Sequence, residues 1–213
     1  MVWGKKTKKI ETMIENKNKT ELMKQIRDEV LNLKESPLYK FRTENHYFPV
    51  IGEGSHNAKI MFIGEAPGLN EAKTGRPFCG RAGEILNELL LTAGIKREDV
   101  YIGNILKDRP QQNRDPLPNE IKIYGPFLDR QINIIQPKVI ATLGRYSMDY
   151  IMRKFGLKSE LLPIGQMHGK VFDTKTEYGK VKIAVLYHPA VAVYNNKTKD
   201  TLKEDFMILK KFI

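Results

Sequence analysis

Residues 60–68 read IMFIGEAPG, an apolar run that opens at Gly64 into a turn of glycine and proline holding one carboxylate, Glu65. A short apolar run bounded by turn residues is the pattern of a buried strand, here 59–63, and strands buried on both faces belong to parallel sheets. Three further runs share it, at 100–102, 139–143 and 181–187. Helical periodicity fills the gaps. Ala82, Ile85, Leu86, Leu89, Leu90 and Ala93 recur at i, i+3, i+4 and i+7, and Gly94 is placed to end that helix. Pro118–Ile135 begins with proline in its first turn, a third helix spans 145–155, and a fourth, 200–212, closes the chain. Strands alternating with helices predict an α/β fold, a three-layer α/β/α sandwich around a central four-stranded parallel sheet. In such a sheet the binding crevice lies beyond the C-terminal strand ends.

Upstream, residues 10–34 carry apolar side chains at helical spacing, which predicts one or two helices ending before Pro37; 37–58 reads as a long irregular connection. A chain of 213 residues fits one domain, 1–213, with a helical N-terminal extension at about 1–36. No apolar run approaches the ~20 residues needed to cross a bilayer. The lysine-rich N-terminus lacks a following apolar stretch, so a cytoplasmic protein without a membrane partner is expected. The single cysteine, Cys79, excludes an internal disulfide framework and reads as a small buried apolar residue. A net charge of +11 with a pI near 9.6 favours a polyanionic partner through counterion release. The charge is spread along the chain and names no site.

The segments after the strands carry the chemistry. GEAPGLNEAKTGRPFCGRAG (64–83) holds Glu65, Asn70, Glu71 and Phe78; GNILKDRPQQNRDP (103–116) holds Asn104, Lys107, Arg109, Asn113 and Arg114. LGRYS (143–147) reads as a plain strand-to-helix turn, and YHPAVAVYNN (187–196) sets His188 ahead of a proline. Carboxylates, amides, one ring and one imidazole suit a planar, uncharged, hydrogen-bonding ligand better than a phosphate. GEAPG is neither a P-loop nor GxGxxG. Taken singly, Glu65 also fits a turn cap, Phe78 a core position, Asn104 a backbone-satisfying strand end and His188 a structural histidine. His46, His56 and His168 share no ligand spacing with His188 or each other, so no metal site is expected.

The order of the motifs is more specific than any one of them. GEAPG, then GRPFxGRAG, then YIxNxxKxRPxxNRxP, then HPA resembles the uracil-DNA glycosylase superfamily, most closely its family-4 branch, over roughly 37–212. The resemblance implies a monofunctional glycosylase of base excision repair. Such an enzyme flips uracil out of DNA, hydrolyses its N-glycosidic bond and leaves an abasic site, working as a monomer on uracil-containing DNA and releasing free uracil. By motif position, Glu65, with Gly64 and Ala66 beside it at the substrate, holds or activates the attacking water. Phe78 stacks on the base, Asn104 reads its O4 and N3–H edge, and His188 donates to O2. Glu71 crowds C5 against thymine, and Asn113 belongs to the active site. Lys107, Arg109, Arg114 and Ala190 fall on the DNA. Alternatives on the same residues are a glycosylase for hypoxanthine or xanthine and a non-catalytic uracil-DNA-binding module.

Two segments depart from the family pattern. Family 4 carries four cysteines that bind a [4Fe–4S] cluster. Here Leu33 and Ser36 stand near the first pair, Asp108 replaces the third and Tyr124 the fourth, so no iron–sulfur cluster and no other cofactor is expected. The N-terminal helices and 37–58 must then be held by ordinary packing. GQMHGKVF (165–172) replaces a usual RG segment. A variant branch that bonds covalently to the abasic sugar has a basic KRRIH-like insertion, which this sequence lacks. His168 is therefore expected as a loop residue near phosphate.

Overall fold

In the computed structural model, which describes residues 18–193 and 196–213, the four expected strands lie side by side and two further strands flank them. In chain order they are β1 (Glu53–Gly54), β2 (Ile60–Gly64), β3 (Tyr101–Asn104), β4 (Val139–Leu143), β5 (Val171–Thr176) and β6 (Gly179–Leu186). The sheet order is β1-β3-β2-β4-β6-β5. β3, β2, β4 and β6 are mutually parallel, as expected, and β1 and β5 are antiparallel edges that the sequence reading missed. The reason differs for each. β1 has two residues, too few for any period, and β5 (VFDTKT) is nowhere fully buried, so its polar residues read as loop.

The helices are α1 (18–31), α2 (Tyr39–Glu44), α3 (Leu69–Thr74), α4 (Arg81–Thr92), α5 (Pro118–Ile135), α6 (Arg145–Lys154), α7 (Ile164–Met167) and α8 (Asn196–Met207). The helical reading of 10–17 lies outside the described residues. α2 falls in the segment read as irregular, and its only buried side chain is a charged one, Arg42.

Strand side chains alternate between two cores. Met61, Ile63, Tyr101, Ile140 and Ile183 face a layer built from α1, α5 and α6. Phe62, Ile102, Ala141, Ala184 and Leu186 face a second layer built from α4 and α8. A period of two on every central strand therefore gives the sandwich its three layers. Among the described residues no helix is long and apolar enough to cross a membrane.

The parallel register sets Gly64 beside Asn104 at one edge of the sheet, and β6 runs out beside β4 toward His188 on the same edge. The chain leaving β3 stays close: the Ile105 and Leu106 amides donate to the Gly64 and Glu65 carbonyls at 3.1 and 3.0 Å. Glu65 and Asn104 are thus held together by backbone bonds.

Candidate active site

A cleft of about 420 Å³ opens over this edge, walled by Glu65, Ala66, Glu71, Phe78, Asn104, Asn113, Arg114, His188 and Ala190. Pro67, Gly68, Ala82 and Pro110 complete it and were not singled out in the sequence. Gly64 lies directly beneath: a Cβ there would sit 2.4 Å from Asn104 Oδ1 and 2.9 Å from the Phe78 ring. Only glycine lets amide and ring close over the strand end.

Asn104 is 2% exposed and lines the cleft, so its side-chain amide meets the pocket from a largely buried position. Each hydrogen bond that a docked ligand makes to this amide is worth about 0.5–1.5 kcal/mol net. Phe78 stands beside it with φ 48°, a left-handed conformation that an aromatic residue rarely adopts. Two contacts hold that turn. Glu71 Oε1 accepts the Cys79 and Gly80 amides at 3.0 and 3.1 Å, and α4 packs so closely that a Cβ on Gly83 would lie 1.9 Å from the Phe78 carbonyl oxygen. Glu71 therefore fastens the ring's turn, a task the sequence reading did not give it.

His188 completes the set, its ring centroid 5.5 Å from that of Phe78. Its Nδ1 accepts the Ala190 amide at 3.2 Å. Burial pushes its pKa down to about 4, against a smaller opposing effect of Glu71. The ring is neutral near pH 7, and with Nδ1 an acceptor its single proton sits on Nε2. Across the cleft, burial pushes the Glu65 carboxyl up to about 7; the negative charge of Asp115 adds to this and Arg145 opposes it. Arg145 Nη2 pairs with Asp115 Oδ2 at 2.6 Å. The LGRYS turn is therefore more than a plain connection, because Arg145 on it partly offsets the effect of burial on Glu65. It follows the end of β4, and the rule that points to strand ends applied there too.

Lys107 and Cys79 are not where the sequence placed them, and Arg114 and His168 have protein partners that the sequence did not show. Lys107, assigned to DNA, is fully buried; its Nζ donates to the Asn104 carbonyl at 2.8 Å and to Gln131 Oε1 at 2.6 Å. Burial pushes its pKa down to about 7. The ammonium holds the backbone of Asn104 from within and reaches no phosphate. Arg114 borders the cleft, but its guanidinium forks onto the buried carboxylate of Glu120, which also accepts the Leu117 amide at the start of α5. Cys79 is exposed, its Sγ 3.3 Å from Thr74 Oγ1. His168 pairs through Nδ1 with Asp205 Oδ2 at 2.8 Å and stacks on Tyr187 at 4.2 Å, tying α8 to the end of β6. Arg109 remains half-buried beside the cleft, its Nε donating to Asn113 Oδ1 at 2.9 Å, and Ala190 is exposed at the rim.

The inward position of Lys107 has a measurable outcome. Each phosphate contact contributes about 0.9 to the slope of log affinity against log salt concentration. Lys107→Met is expected to leave that slope unchanged and to lower the melting temperature; a slope reduced by about 0.9 would put Nζ on a phosphate after all.

A four-thiolate cluster does not fit this chain, which has one cysteine, and that cysteine sits at the cleft side of the molecule beside α3. Among the described residues no group of three or more His, Cys, Asp or Glu side chains could hold a metal ion.

Residues 51–210 match the family model described as the uracil DNA glycosylase superfamily. Type-4 uracil-DNA glycosylase of Saccharolobus solfataricus is 46% identical over 87% of this chain and 84% of its own length. The protein of the same name from Sulfurisphaera tokodaii is 43% identical over 89% of this chain and 84% of its own length. That from Thermotoga maritima is 39% identical over 91% and 95%.

Proposed function

The chain belongs to the uracil DNA glycosylase superfamily, and from that premise we propose how its cleft removes uracil from DNA. The enzyme cleaves the N-glycosidic bond of uracil in DNA. A base stacked in a duplex is out of reach of any pocket, so the nucleotide turns out of the helix and unstacking is offset by stacking on Phe78. Asn104 then offers a donor to uracil O4 and an acceptor to N3–H. As the C1′–N1 bond breaks, its electron pair moves onto the base and the sugar becomes cationic. His188 Nε2–H meets the charge growing on O2. Ionised Glu65 faces the cationic sugar and takes a proton from the water that adds to C1′. The products are an abasic site and the uracil anion, which becomes free uracil by taking up a proton as Glu65 releases its own to solvent. Both charged contacts are stronger in the transition state than in the ground state, which is the condition for raising the rate.

The observation that carries this reading is the convergence of the Asn104 amide, the Phe78 ring, the His188 imidazole and the Glu65 carboxyl on one cleft. Glu71 lines the same cleft with its carboxylate fastened by two backbone amides, so it gives little way to the C5 methyl of thymine. The reaction needs no cofactor in this scheme. We take the chain as one monomeric, cytoplasmic domain with its N-terminal helix as an extension, and the exposed rim around Asn113 and Ala190, with Arg109 behind it, as the DNA-facing side.

Oligonucleotides carrying a single U, hypoxanthine, xanthine or T, followed by alkaline cleavage of abasic sites, test the reading. Cutting at U and not at T is expected. Tight binding without cutting would make the protein a binding module, and cutting only at hypoxanthine or xanthine would reassign its base. Two edge bonds to a base are worth about 1–3 kcal/mol, so Asn104→Ala should slow excision roughly 10- to 100-fold. Excision at the wild-type rate would remove Asn104 from base recognition.

A further inference from the structure

Away from the cleft, Ser36, Arg42, Asp108 and Tyr124 form one buried polar cluster, each 4% exposed or less. Ser36 Oγ and the Tyr124 hydroxyl lie 2.6 Å apart, and the Tyr124 hydroxyl donates to Asp108 Oδ2 at 2.6 Å. Arg42 Nε stands 3.6 Å from the same oxygen. Asp108 Oδ1 has no hydrogen-bond partner among the described residues, so the carboxylate is held through one oxygen. Groups this polar are expensive to bury, and apolar side chains of similar volume fill such space at lower cost.

What the cluster joins is distant in sequence. Arg42 Nη1 and Nη2 also donate to the Val30 and Leu31 carbonyls at the end of α1, at 3.2 and 2.7 Å. Ser36 Oγ accepts the Leu38 amide at 3.1 Å. Tyr124 belongs to α5. Asp108 lies in the loop that leaves β3 at Asn104 and returns to the cleft through Pro110 and Asn113. By the resemblance, Asp108 and Tyr124 stand where the family-4 pattern carries two cluster cysteines, and Ser36 stands near a third. Leu33, near the fourth, packs against the same core. Two hydroxyls and a carboxylate are not thiolates, and direct hydrogen bonds close the space between them.

We propose that the Ser36–Tyr124–Asp108–Arg42 cluster does in this chain the mechanical work of an iron–sulfur cluster, fastening the α1–α2 segment and α5 to the 105–113 loop and so fixing one wall of the cleft. These are positioning residues. They touch neither base nor sugar, and they act through Arg109, Pro110 and Asn113. The consequence for excision rests on the function proposed above; the fastening itself does not.

Tyr124→Phe keeps the ring and removes the central hydroxyl. Amide hydrogen exchange over 30–42 and 105–113 should quicken at least about tenfold, with β2 and β4 unchanged. The single-turnover excision rate should fall about tenfold, with affinity for abasic DNA retained. Asp108→Leu, which removes the acceptor at the network's other end, is measured in the same way and supplies the answer if Tyr124→Phe does not fold. Unchanged exchange in both segments would overturn the proposal, as would stoichiometric iron with absorption near ~400 nm in the wild-type protein. Exchange that quickens in the variants while the wild-type protein itself shows no excision would keep the fastening and count against the proposed function alone.

Discussion

Replacing His188 by alanine should lower the single-turnover rate of uracil excision by about 10²–10³, with little change in affinity for uracil-containing DNA. The imidazole is aimed by its own backbone: Nδ1 accepts the Ala190 amide, which leaves the proton on Nε2. Burial holds its pKa down to about 4, so the same neutral donor is present throughout pH 5.5–8.5. It meets a weak acceptor, the O2 of uracil, in the ground state and an anion in the transition state, and this difference is what accelerates bond breaking. The ratio of wild-type to His188→Ala rates should therefore stay constant across that range. A ratio that collapses above about pH 6.5 would mean that a cationic imidazolium does the work. A loss confined to binding would remove His188 from the leaving-group role.

The second large effect is a pH dependence set by Glu65. Burial first, and the charge of Asp115 second, push its carboxyl up to about 7, while Arg145 pulls it down. Only the carboxylate can face a cationic sugar and accept a proton from water. kcat/KM should therefore rise with pH through a midpoint near 7 and level off above it. Glu65→Gln should lose that limb and about 10²–10⁴ of the rate. Asp115→Asn should move the midpoint down, and loss of Arg145 should move it up. The sign for stability is opposite to that for activity. A carboxyl whose folded pKa lies above its unfolded value favours the folded state when protonated, and that contribution is lost as pH rises from about 4.5 through 7. Glu65→Gln should accordingly melt above the wild type at pH 8 and lose that advantage at low pH. A flat rate profile between pH 5.5 and 8.5 in the wild type would show that Glu65 is not the titrating group.

Much of this molecule was legible in its sequence because local patterns and tertiary neighbours coincide. Four short apolar runs gave the parallel strands within one or two residues, and the rule for parallel sheets sent Glu65, Phe78, Asn104 and His188 to one edge. Pro118–Ile135 was bounded correctly because its proline and its periodicity mark the same helix. The edge strands escaped: two residues carry no period, and a half-exposed strand carries a weak one.

Periodicity in the sequence was enough to assign side chains to the faces of the four central strands, and hence the parallel core of the sheet and the residues at its open edge. The tertiary structure alone decided where the charges and hydroxyls went. Lys107 turned inward because the Asn104 carbonyl and Gln131, 24 residues away, wait for its ammonium. Arg114 was taken by Glu120, and Glu65 acquired its raised pKa from burial beside Asp115. Ser36 and Tyr124 met across 88 residues. A periodic pattern reports burial, which is a property of one element against solvent. A polar side chain's role depends on the partner that another element delivers, and that is fixed only when the layers stack.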